Sequence, residues 1–168
     1  MSPSIAGAIR FVGGIFQGFD GTRWVPLSKS VDTQYYAISP AAFVSENNGS
    51  GWYIQGGGAA LLSGTAYLSA PINLPHKVKV TSITFNYVDN STNDLEMSLY
   101  TPSNSGIFLI DSYITSGAST GIKTKTILTD FATDNSVYSM HVEVRPKAGD
   151  VWDGNAFVYN IILTYLCE

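Results

Sequence analysis

Six consecutive polar residues, DNSTND at positions 89–94, concentrate oxygen atoms that could bind a hard cation. Carboxylate, amide and hydroxyl oxygens are the ligands that Ca²⁺ prefers, and Asp89 and Asp94 are the candidate metal ligands. The segment lacks the glycine and the distal glutamate of an EF-hand loop. Asx and Ser/Thr turns use the same residue types without a metal. We therefore predict a turn, with no required metal or other cofactor, and keep calcium binding as the alternative.

Catalysis has little support in the sequence. His76 and His141 are the only histidines, and no Ser/His/Asp or Cys/His arrangement can be built around them. A glycosidase needs two carboxyl groups about 5–9.5 Å apart, and the spacing of scattered acidic residues along the chain does not establish such a pair. We predict that the protein is not an enzyme, with a glycan depolymerase as the enzyme alternative.

Aromatic residues beside glycine-rich segments are the candidates for ligand binding. Trp52 and Tyr53 lie between ENNGSG and GGG, and Tyr67 lies close to a Ser-Gly pair. Such mixtures are typical of adaptable binding surfaces, because aromatic rings give contact area at low entropic cost. Two roles for Trp52 remain open: it contacts a glycan from a recognition loop, or it fills one end of the core.

The composition of the chain limits the classes of molecule that the protein could bind. Charged residues make up 13% of the chain and hydrophobic residues 45%, so uncharged polar residues must cover the surface. The nine Lys and Arg form no basic patch, which disfavours nucleic-acid binding. The single cysteine, Cys167, excludes an intramolecular disulfide. No apolar run is long enough to cross a membrane, and no secretory signal is recognisable.

Strand signals dominate the chain after residue 35. No helical period is sustained there, and apolar runs recur about every ten residues with turn residues between them. This pattern predicts an all-β fold, with roughly eight strands in an antiparallel jelly-roll-like β-sandwich over residues 35–168. The longest strand, over 78–88, changes parity near Thr81 and Ser82, which predicts a β-bulge. The proline-bounded segment 70–75 predicts a crossing between two sheets.

Residues 7–27 predict a small β-meander of their own. Two glycines separate the apolar runs 9–12 and 15–19, which is the spacing of a tight hairpin, and DGT at 20–22 predicts a second turn. Apolar groups fall on both faces, so the sheet needs a cover that so few residues cannot supply. We predict that residues 1–28 anchor a homotrimer, joined to the sandwich by a linker over 29–34; an edge hairpin packed on its own domain is the alternative. The candidate anchoring residues are Ile9, Phe11, Phe16, Phe19 and Trp24.

The meander resembles the short GxIRY…FxGYxGTxWV module of bacteriophage tail-fibre and virion appendage proteins. The matching residues are Gly7, Ile9, Arg10, Phe16, Gly18, Asp20, Gly21, Thr22, Trp24 and Val25. Phe11 and Phe19 stand where that family often has tyrosine. In that family the module belongs to homotrimers and joins a virion-bound part to a distal head. The resemblance implies a tail fibre, spike or capsid decoration protein of the virion, whose sandwich serves host attachment and adhesion through a surface glycan.

A second resemblance involves the predicted sandwich. The segments LSAPINLPHKVKVTSITFNYVDNST, LEMSLY and VYSMHVEV resemble a β-sandwich module appended to bacterial secreted and surface proteins. This resemblance implies the alternative function, a carbohydrate-binding or adhesive module of a secreted bacterial protein. The expected location is the virion, assembled in the host cytoplasm, or else extracellular. The expected partners are further copies of the chain, other virion proteins and a host-surface glycan, without nucleic acid or membrane insertion.

Overall fold

The computed structural model describes residues 6–27, 32–46, 51–103 and 106–167, with the side chain of Ser103 excepted. The chain divides into two compact units between Asp32 and Thr33. The first is a three-stranded meander, and the second is a β-sandwich. Within the described ranges, no helix is long and apolar enough to cross a membrane.

The N-terminal meander consists of β1 (Ile9–Val12), β2 (Ile15–Phe19) and β3 (Trp24–Pro26), paired in that order and antiparallel. Gly13 and Gly14 have φ angles of 61° and 84°, which a two-residue hairpin turn requires. The Asp20 carboxylate closes the second turn by accepting hydrogen bonds from the backbone N–H groups of Thr22 and Arg23, both at 2.8 Å. The predicted meander is therefore confirmed, and its turns use the residues expected of them.

The two faces of the meander differ in how well they are covered. Phe11 pairs with Phe16 on one face, with ring centroids 4.8 Å apart, and both remain more than half exposed, as does Ile9. On the other face Phe19 packs against Trp24 at 5.3 Å, and the Arg10 guanidinium lies 4.3 Å above the Trp24 ring. Val12 and Ile15, on the second face, are also exposed, so each face presents part of the apolar surface expected from the sequence. What covers it stays a prediction.

Eleven further strands among the described residues form the sandwich. They are β4 (Asp32–Ile38), β5 (Val44–Ser45), β6 (Trp52–Gln55), β7 (Gly58–Leu61), β8 (Leu68–Ile72), β9 (Lys79–Asp89), β10 (Leu95–Ser103), β11 (Gly106–Ile114), β12 (Ser119–Ala132), β13 (Met140–Pro146) and β14 (Ala156–Cys167). One sheet has the order β11-β10-β13-β8-β5. The other has the order β12-β9-β14-β7-β6, with β4 also paired to β14. The predicted all-β, antiparallel, jelly-roll-like β-sandwich is confirmed.

The core lies between the two sheets and follows the two-residue period of the strands. Alternate residues of β13 (Met140, Val142 and Val144) are buried, and those between them are only half-buried. Ile83 and Phe85 of β9 face them across the sandwich interior and are fully buried. Because adjacent side chains in a strand point to opposite faces, the same alternation fixes which residues lie on the outer faces.

Several local predictions can be compared with the strands. The bulge near Thr81 and Ser82 is confirmed: Ser82 pairs with Thr164 and Val80 with Tyr165, so β9 contains one extra residue. The chain crosses between the sheets at 73–78, so the predicted crossing over 70–75 is confirmed for 73–75, whereas residues 70–72 belong to β8. The predicted linker over 29–34 is wrong in its second half, because β4 begins at Asp32 and pairs with β14. Residues 28–31 lie outside the described residues.

The region 35–44 belongs to two sheets. After β4 the Ser39 hydroxyl caps a single 3-10 turn, Pro40–Ala42, by accepting a hydrogen bond from Ala41 N at 3.3 Å. The chain then enters β5, which pairs with β8 in the other sheet. Proline therefore marks the point at which the chain changes sheet, because it favours the turn and cannot donate to a ladder.

Candidate functional site

The outer face of the six-stranded sheet carries a line of amide and hydroxyl groups. In β9 the side chains of Ile83 and Phe85 enter the core, so Thr84 and Asn86 lie on the opposite face. β9 is flanked by β12 and β14, and the register brings their polar residues beside it. We call this set the polar row; its members are Thr84, Asn86, Thr124, Thr126 and Asn160.

Hydrogen bonds within the polar row hold its amide groups in fixed orientations. The Thr124 hydroxyl donates to Asn86 Oδ1 at 2.6 Å, and Asn86 Nδ2 donates to Asn160 Oδ1 at 2.5 Å. The Thr84 and Thr126 hydroxyls lie 2.8 Å apart. The Asn160 Nδ2 group has no partner among the described residues. The row therefore presents an oriented amide donor beside hydroxyl oxygens that can accept.

Aromatic rings adjoin the polar row on the β14 side. Phe157 pairs with Val88 of β9, which places it on the same face as Asn86, and the Tyr53 ring meets its ring edge-on with centroids 6.1 Å apart. Tyr159 follows in the same strand and lies over the β6–β7 turn. We call Tyr53, Phe157 and Tyr159 the aromatic cluster.

A glycine is required beneath this cluster. A Cβ atom at Gly58 would lie 2.9 Å from Phe157 Cβ and 3.4 Å from Tyr159 Cε2, so a larger residue would displace the rings. The Tyr53 hydroxyl donates to the Gly154 carbonyl at 3.2 Å. Burial, and then the nearby charge of Asp153, raise the pKa of Tyr53, so its hydroxyl stays neutral and keeps this bond.

Charged residues are distributed differently on the outer faces of the two sheets. On the six-stranded sheet, the Lys79–Asp130 ion pair (3.0 Å) joins the ends of β9 and β12 that lie away from Asn86. On the five-stranded sheet Arg145 is paired with Glu96 at 3.0 Å, and His141 lies 2.9 Å from Glu143. The outward residues of β9 and β14 beside the polar row are all uncharged, namely Ser82, Thr84, Asn86, Val88, Phe157, Asn160, Ile162 and Thr164. The face with the polar row therefore suits a neutral polar ligand.

The structure separates the three aromatic residues proposed as a binding site. Tyr53 belongs to the aromatic cluster, whereas Trp52 is its neighbour in β6 and points to the other face, with 38% of its surface exposed. Tyr67 precedes β8 in the other sheet, where its hydroxyl is hydrogen-bonded to the Glu46 carboxylate. That bond first, and burial second, raise the pKa of Tyr67 to about 12. The three residues do not form one site.

The buried tryptophan of the sandwich is Trp152. It is 2% exposed, and its indole N–H donates to the Ala66 carbonyl at 2.7 Å. Its backbone N–H donates to the Gly64 carbonyl at 2.8 Å. Trp52, in the edge strand β6, is 38% exposed and is not one of the fully buried core residues. Which of its two predicted roles applies stays open.

The acidic turn at 90–94 is held by its own hydrogen bonds. Asp89 is completely buried, and its Oδ1 accepts a hydrogen bond from Ser91 N at 3.4 Å. Asp94 forms an ion pair with Lys147 at 3.1 Å. In the described part of the chain, no group of three or more His, Cys, Asp or Glu side chains could hold a metal ion. The predicted turn chemistry is present, and the absence of a required metal stays a prediction.

Sequence reasoning missed the polar row. Its signal was visible in part, because Thr84 and Asn86 alternate with apolar residues in the strand predicted over 78–88. Asn160 is separated from Asn86 by 74 positions. Only the strand order brings the two amides together, and that order is not encoded in any local pattern.

Comparison with known proteins places the fold. No family model matches the sequence, and no curated protein matches it. Several solved structures have a similar fold. The CBM36-1 domain of a multidomain xylanase from the hindgut metagenome of Trinervitermes trinervoides has 13% identity and a TM-score of 0.54, covering 77% of this chain and 96% of its own. The fold is similar to that of carbohydrate-binding modules.

Two further solved structures support the same fold assignment. A carbohydrate-binding module CBM36 in complex with calcium and xylotriose has 11% identity and a TM-score of 0.51, covering 77% of this chain and 98% of its own. The C-terminal CBM6 of LamC, a marine laminarinase from Zobellia galactanivorans, has 13% identity and a TM-score of 0.51, covering 78% and 99%. At these identities the likeness is one of fold.

The predicted function as a phage virion protein is wrong. That prediction rested on the 21 residues of positions 7–27, whereas the similar structures cover more than three quarters of the chain and are carbohydrate-binding modules. A short turn-rich motif recurs easily, because few residues satisfy its backbone angles. Virion location, virion partners and a homotrimer have no support from these comparisons. The resemblance of residues 7–27 to the phage module is left untested by them.

Proposed function

We propose that the sandwich is a non-catalytic carbohydrate-binding module that binds a neutral glycan on the outer face of its six-stranded sheet. The observation that carries the proposal is the polar row beside the aromatic cluster, with uncharged residues of β9 and β14 around it. The fold similarity to carbohydrate-binding modules supports the same class of ligand. An extracellular location, as a module of a secreted bacterial protein, is the matching context.

The chemistry of the face matches that of a sugar. A sugar ring has hydroxyl groups that both donate and accept, and C–H surfaces that pack against aromatic rings. The primary amide of Asn160 offers Nδ2 as a donor, and the threonine hydroxyls of the polar row offer lone pairs as acceptors. Tyr159 and Phe157 provide the adjoining apolar surface. Each part of a neutral sugar thus has a counterpart on the face.

Preorganisation supports binding at this place. The polar row is held by its own hydrogen bonds, and the aromatic cluster is fixed by Gly58 and by the bond from Tyr53 to Gly154. Side chains that are already ordered lose little conformational entropy when a ligand arrives. One of the similar structures is a complex with calcium and xylotriose. The outward residues of β9 and β14 beside the polar row include no carboxylate, so binding there is expected to need no cation.

Affinity electrophoresis with soluble neutral polysaccharides tests this proposal. Xylan, laminarin, galactomannan and hydroxyethyl cellulose are cast in native gels, and the wild-type protein is compared with Asn160→Ala. We expect retardation of the wild type by at least one polymer, and about tenfold weaker retention of the variant, which lacks the free amide. Asn90→Ala is the matched control, because Asn90 is exposed in the 90–94 turn, outside the polar row.

Melting curves of all three proteins establish that each variant is folded. Unhindered migration of the wild type through every polymer would contradict the proposal. Equal retention of the wild type and Asn160→Ala would remove the polar row from the binding site.

A further inference from the structure

A cleft opens at the end of the sandwich where β8 leads to β9 and β12 leads to β13. Its volume is about 370 Å³, within the range of about 300–1,000 Å³ found for small-molecule sites. One wall is formed by residues 72–75 and the other by residues 135 and 138–140. None of these residues belongs to the polar row or to the aromatic cluster.

The two walls are fixed to each other by hydrogen bonds. Thr133 is 2% exposed, and its hydroxyl donates to the Pro75 carbonyl at 2.7 Å and accepts from Val78 N at 3.0 Å. Asn135 Nδ2 donates to the Leu74 carbonyl at 2.8 Å. The Tyr138 hydroxyl donates to the Ala132 carbonyl at 2.7 Å, which fixes its ring. The cleft is therefore preformed.

Backbone strain occurs in the turn that follows the 72–75 wall. Lys77 has φ of +59° and is the only non-glycine residue with positive φ in the part of the chain that the structure describes. Such a conformation is unfavourable for an L-residue with a side chain, and it persists where surrounding contacts impose it. Here the Lys77 N–H donates to the Thr133 carbonyl at 3.0 Å. Strained backbone of this kind is concentrated at ligand sites.

The lining of the cleft is neutral and offers both donors and acceptors. Asn73 has no side-chain partner among the described residues, and Asn135 keeps its Oδ1 as an acceptor after binding Leu74. Ser139 adds a hydroxyl, and Tyr138 adds the face of a ring. In the adjoining turns the His76 ring lies 3.6 Å from the Asp134 carboxylate, and neither residue lines the cleft. This lining suits a small polyhydroxylated molecule better than an ion.

We infer that this cleft is a second saccharide site, which binds one or two sugar residues of a neutral glycan independently of the sheet face. The class of ligand in this inference rests on the proposed function, and the location of the site rests on the geometry of the cleft. Two sites on one module would raise its retention on a polysaccharide, because the second contact becomes intramolecular once the first is made.

Amide NMR titration distinguishes the two sites. Isotope-labelled protein is titrated with xylobiose, cellobiose, mannobiose and laminaribiose, and glycerol at equal concentration is the control for nonspecific polyol effects. The side-chain amides of Asn73 and Asn135 report on the cleft, and those of Asn86 and Asn160 report on the polar row. We expect at least one disaccharide, and not glycerol, to shift the cleft signals in a saturable manner.

Two variants make the assignment specific. Asn73→Leu removes an amide from the cleft and should weaken the cleft titration about tenfold, the effect of one or two lost hydrogen bonds, without changing the polar-row titration. Asn160→Ala should leave the cleft titration unchanged. Asn73→Ala, which adds no bulk, provides the same test if the leucine variant does not fold.

The possible results separate the two proposals. Saturable shifts in the polar row with silent cleft signals would overturn the second site and leave the proposed function standing. Shifts confined to the cleft would support the second site and contradict binding on the sheet face. No response of either set to any of the four disaccharides would overturn the cleft site, and the polysaccharide gels would then decide the proposed function by themselves.

Discussion

Replacing Trp152 with phenylalanine should destabilise the sandwich far more than the same replacement at Trp52. Trp152 is 2% exposed, and its indole N–H donates to the Ala66 carbonyl at 2.7 Å, whereas Trp52 is 38% exposed in an edge strand. Trp152→Phe leaves that carbonyl without its donor, at a cost of about 1–3 kcal/mol. The smaller ring also leaves a cavity, at about 24 cal/mol per Å³ of residual volume.

Together these effects predict a loss of about 2–4 kcal/mol in the free energy of unfolding for Trp152→Phe. In a domain of this size that loss corresponds to a melting temperature lower by about 4–16 °C. Trp52→Phe should cost less than about 1 kcal/mol, because its side chain is partly solvated before the change.

Urea unfolding followed by far-ultraviolet circular dichroism is the appropriate assay, since a tryptophan replacement alters the fluorescence signal itself. Equal m-values would show that the difference between the urea midpoints of the two variants reflects a difference in stability. If the two variants lost the same stability, or if Trp52→Phe lost more, the placement of Trp152 in the core would be refuted.

Three other predictions follow from single contacts. Gly58→Ala should lower the melting temperature and weaken glycan retention, because the new Cβ would lie 2.9 Å from the aromatic cluster. Gly121→Ala is the control and should do neither, because its Cβ would have no neighbour closer than 4.0 Å. Equal effects of the two variants would contradict the close contact at Gly58. Tyr67 should titrate near pH 12 in an absorbance titration. Its contribution to the free energy of unfolding, which is present below pH 10, should be lost as the pH rises through 12. If the pKa of Tyr67 were unchanged in Glu46→Gln, the hydrogen bond to Glu46 would be excluded as the cause of the raised pKa. Thr133→Val should cost about 1–3 kcal/mol in thermal unfolding, because the buried Thr133 hydroxyl donates to the Pro75 carbonyl and accepts from Val78 N, which ties the end of β12 to the 73–78 segment. A neutral result would show that this connection does not depend on the hydroxyl.

The fold class could be predicted because its signals are local. The alternation of Met140, Val142 and Val144 with polar residues specifies a strand with one buried face, and Gly13 and Gly14 specify a hairpin. Each signal depends on neighbours a few positions away. The boundaries between elements were less certain, because β4 is polar at its start and is ordered as a strand only through its pairing with β14.

The candidate site could not be predicted from local patterns. The polar row joins side chains from β9, β12 and β14, whose adjacency is a property of the sheet order. Trp52 and Tyr53 are consecutive in sequence, yet strand geometry sends them to opposite faces. Trp52 is partly exposed because its edge strand has a neighbour on one side only, whereas Trp152 is buried outside the named strands, at an isolated bridge to Gly64. The function was mispredicted because the motif at 7–27 covers only the small meander and carries no information on the ligand of the larger sandwich.

The position of β14 has a consequence for how the protein is made. β14 comes last among the strands of the sandwich, yet it lies inside its sheet, between β9 and the strands β7 and β4. A nascent chain whose β14 is still within the ribosome has two open strand edges and an uncovered apolar layer, a state prone to aggregation. The sheet cannot grow outward in the order of synthesis, and its distant pairings favour slow folding. Closure of the sandwich must therefore wait until Ala156–Cys167 has left the exit tunnel.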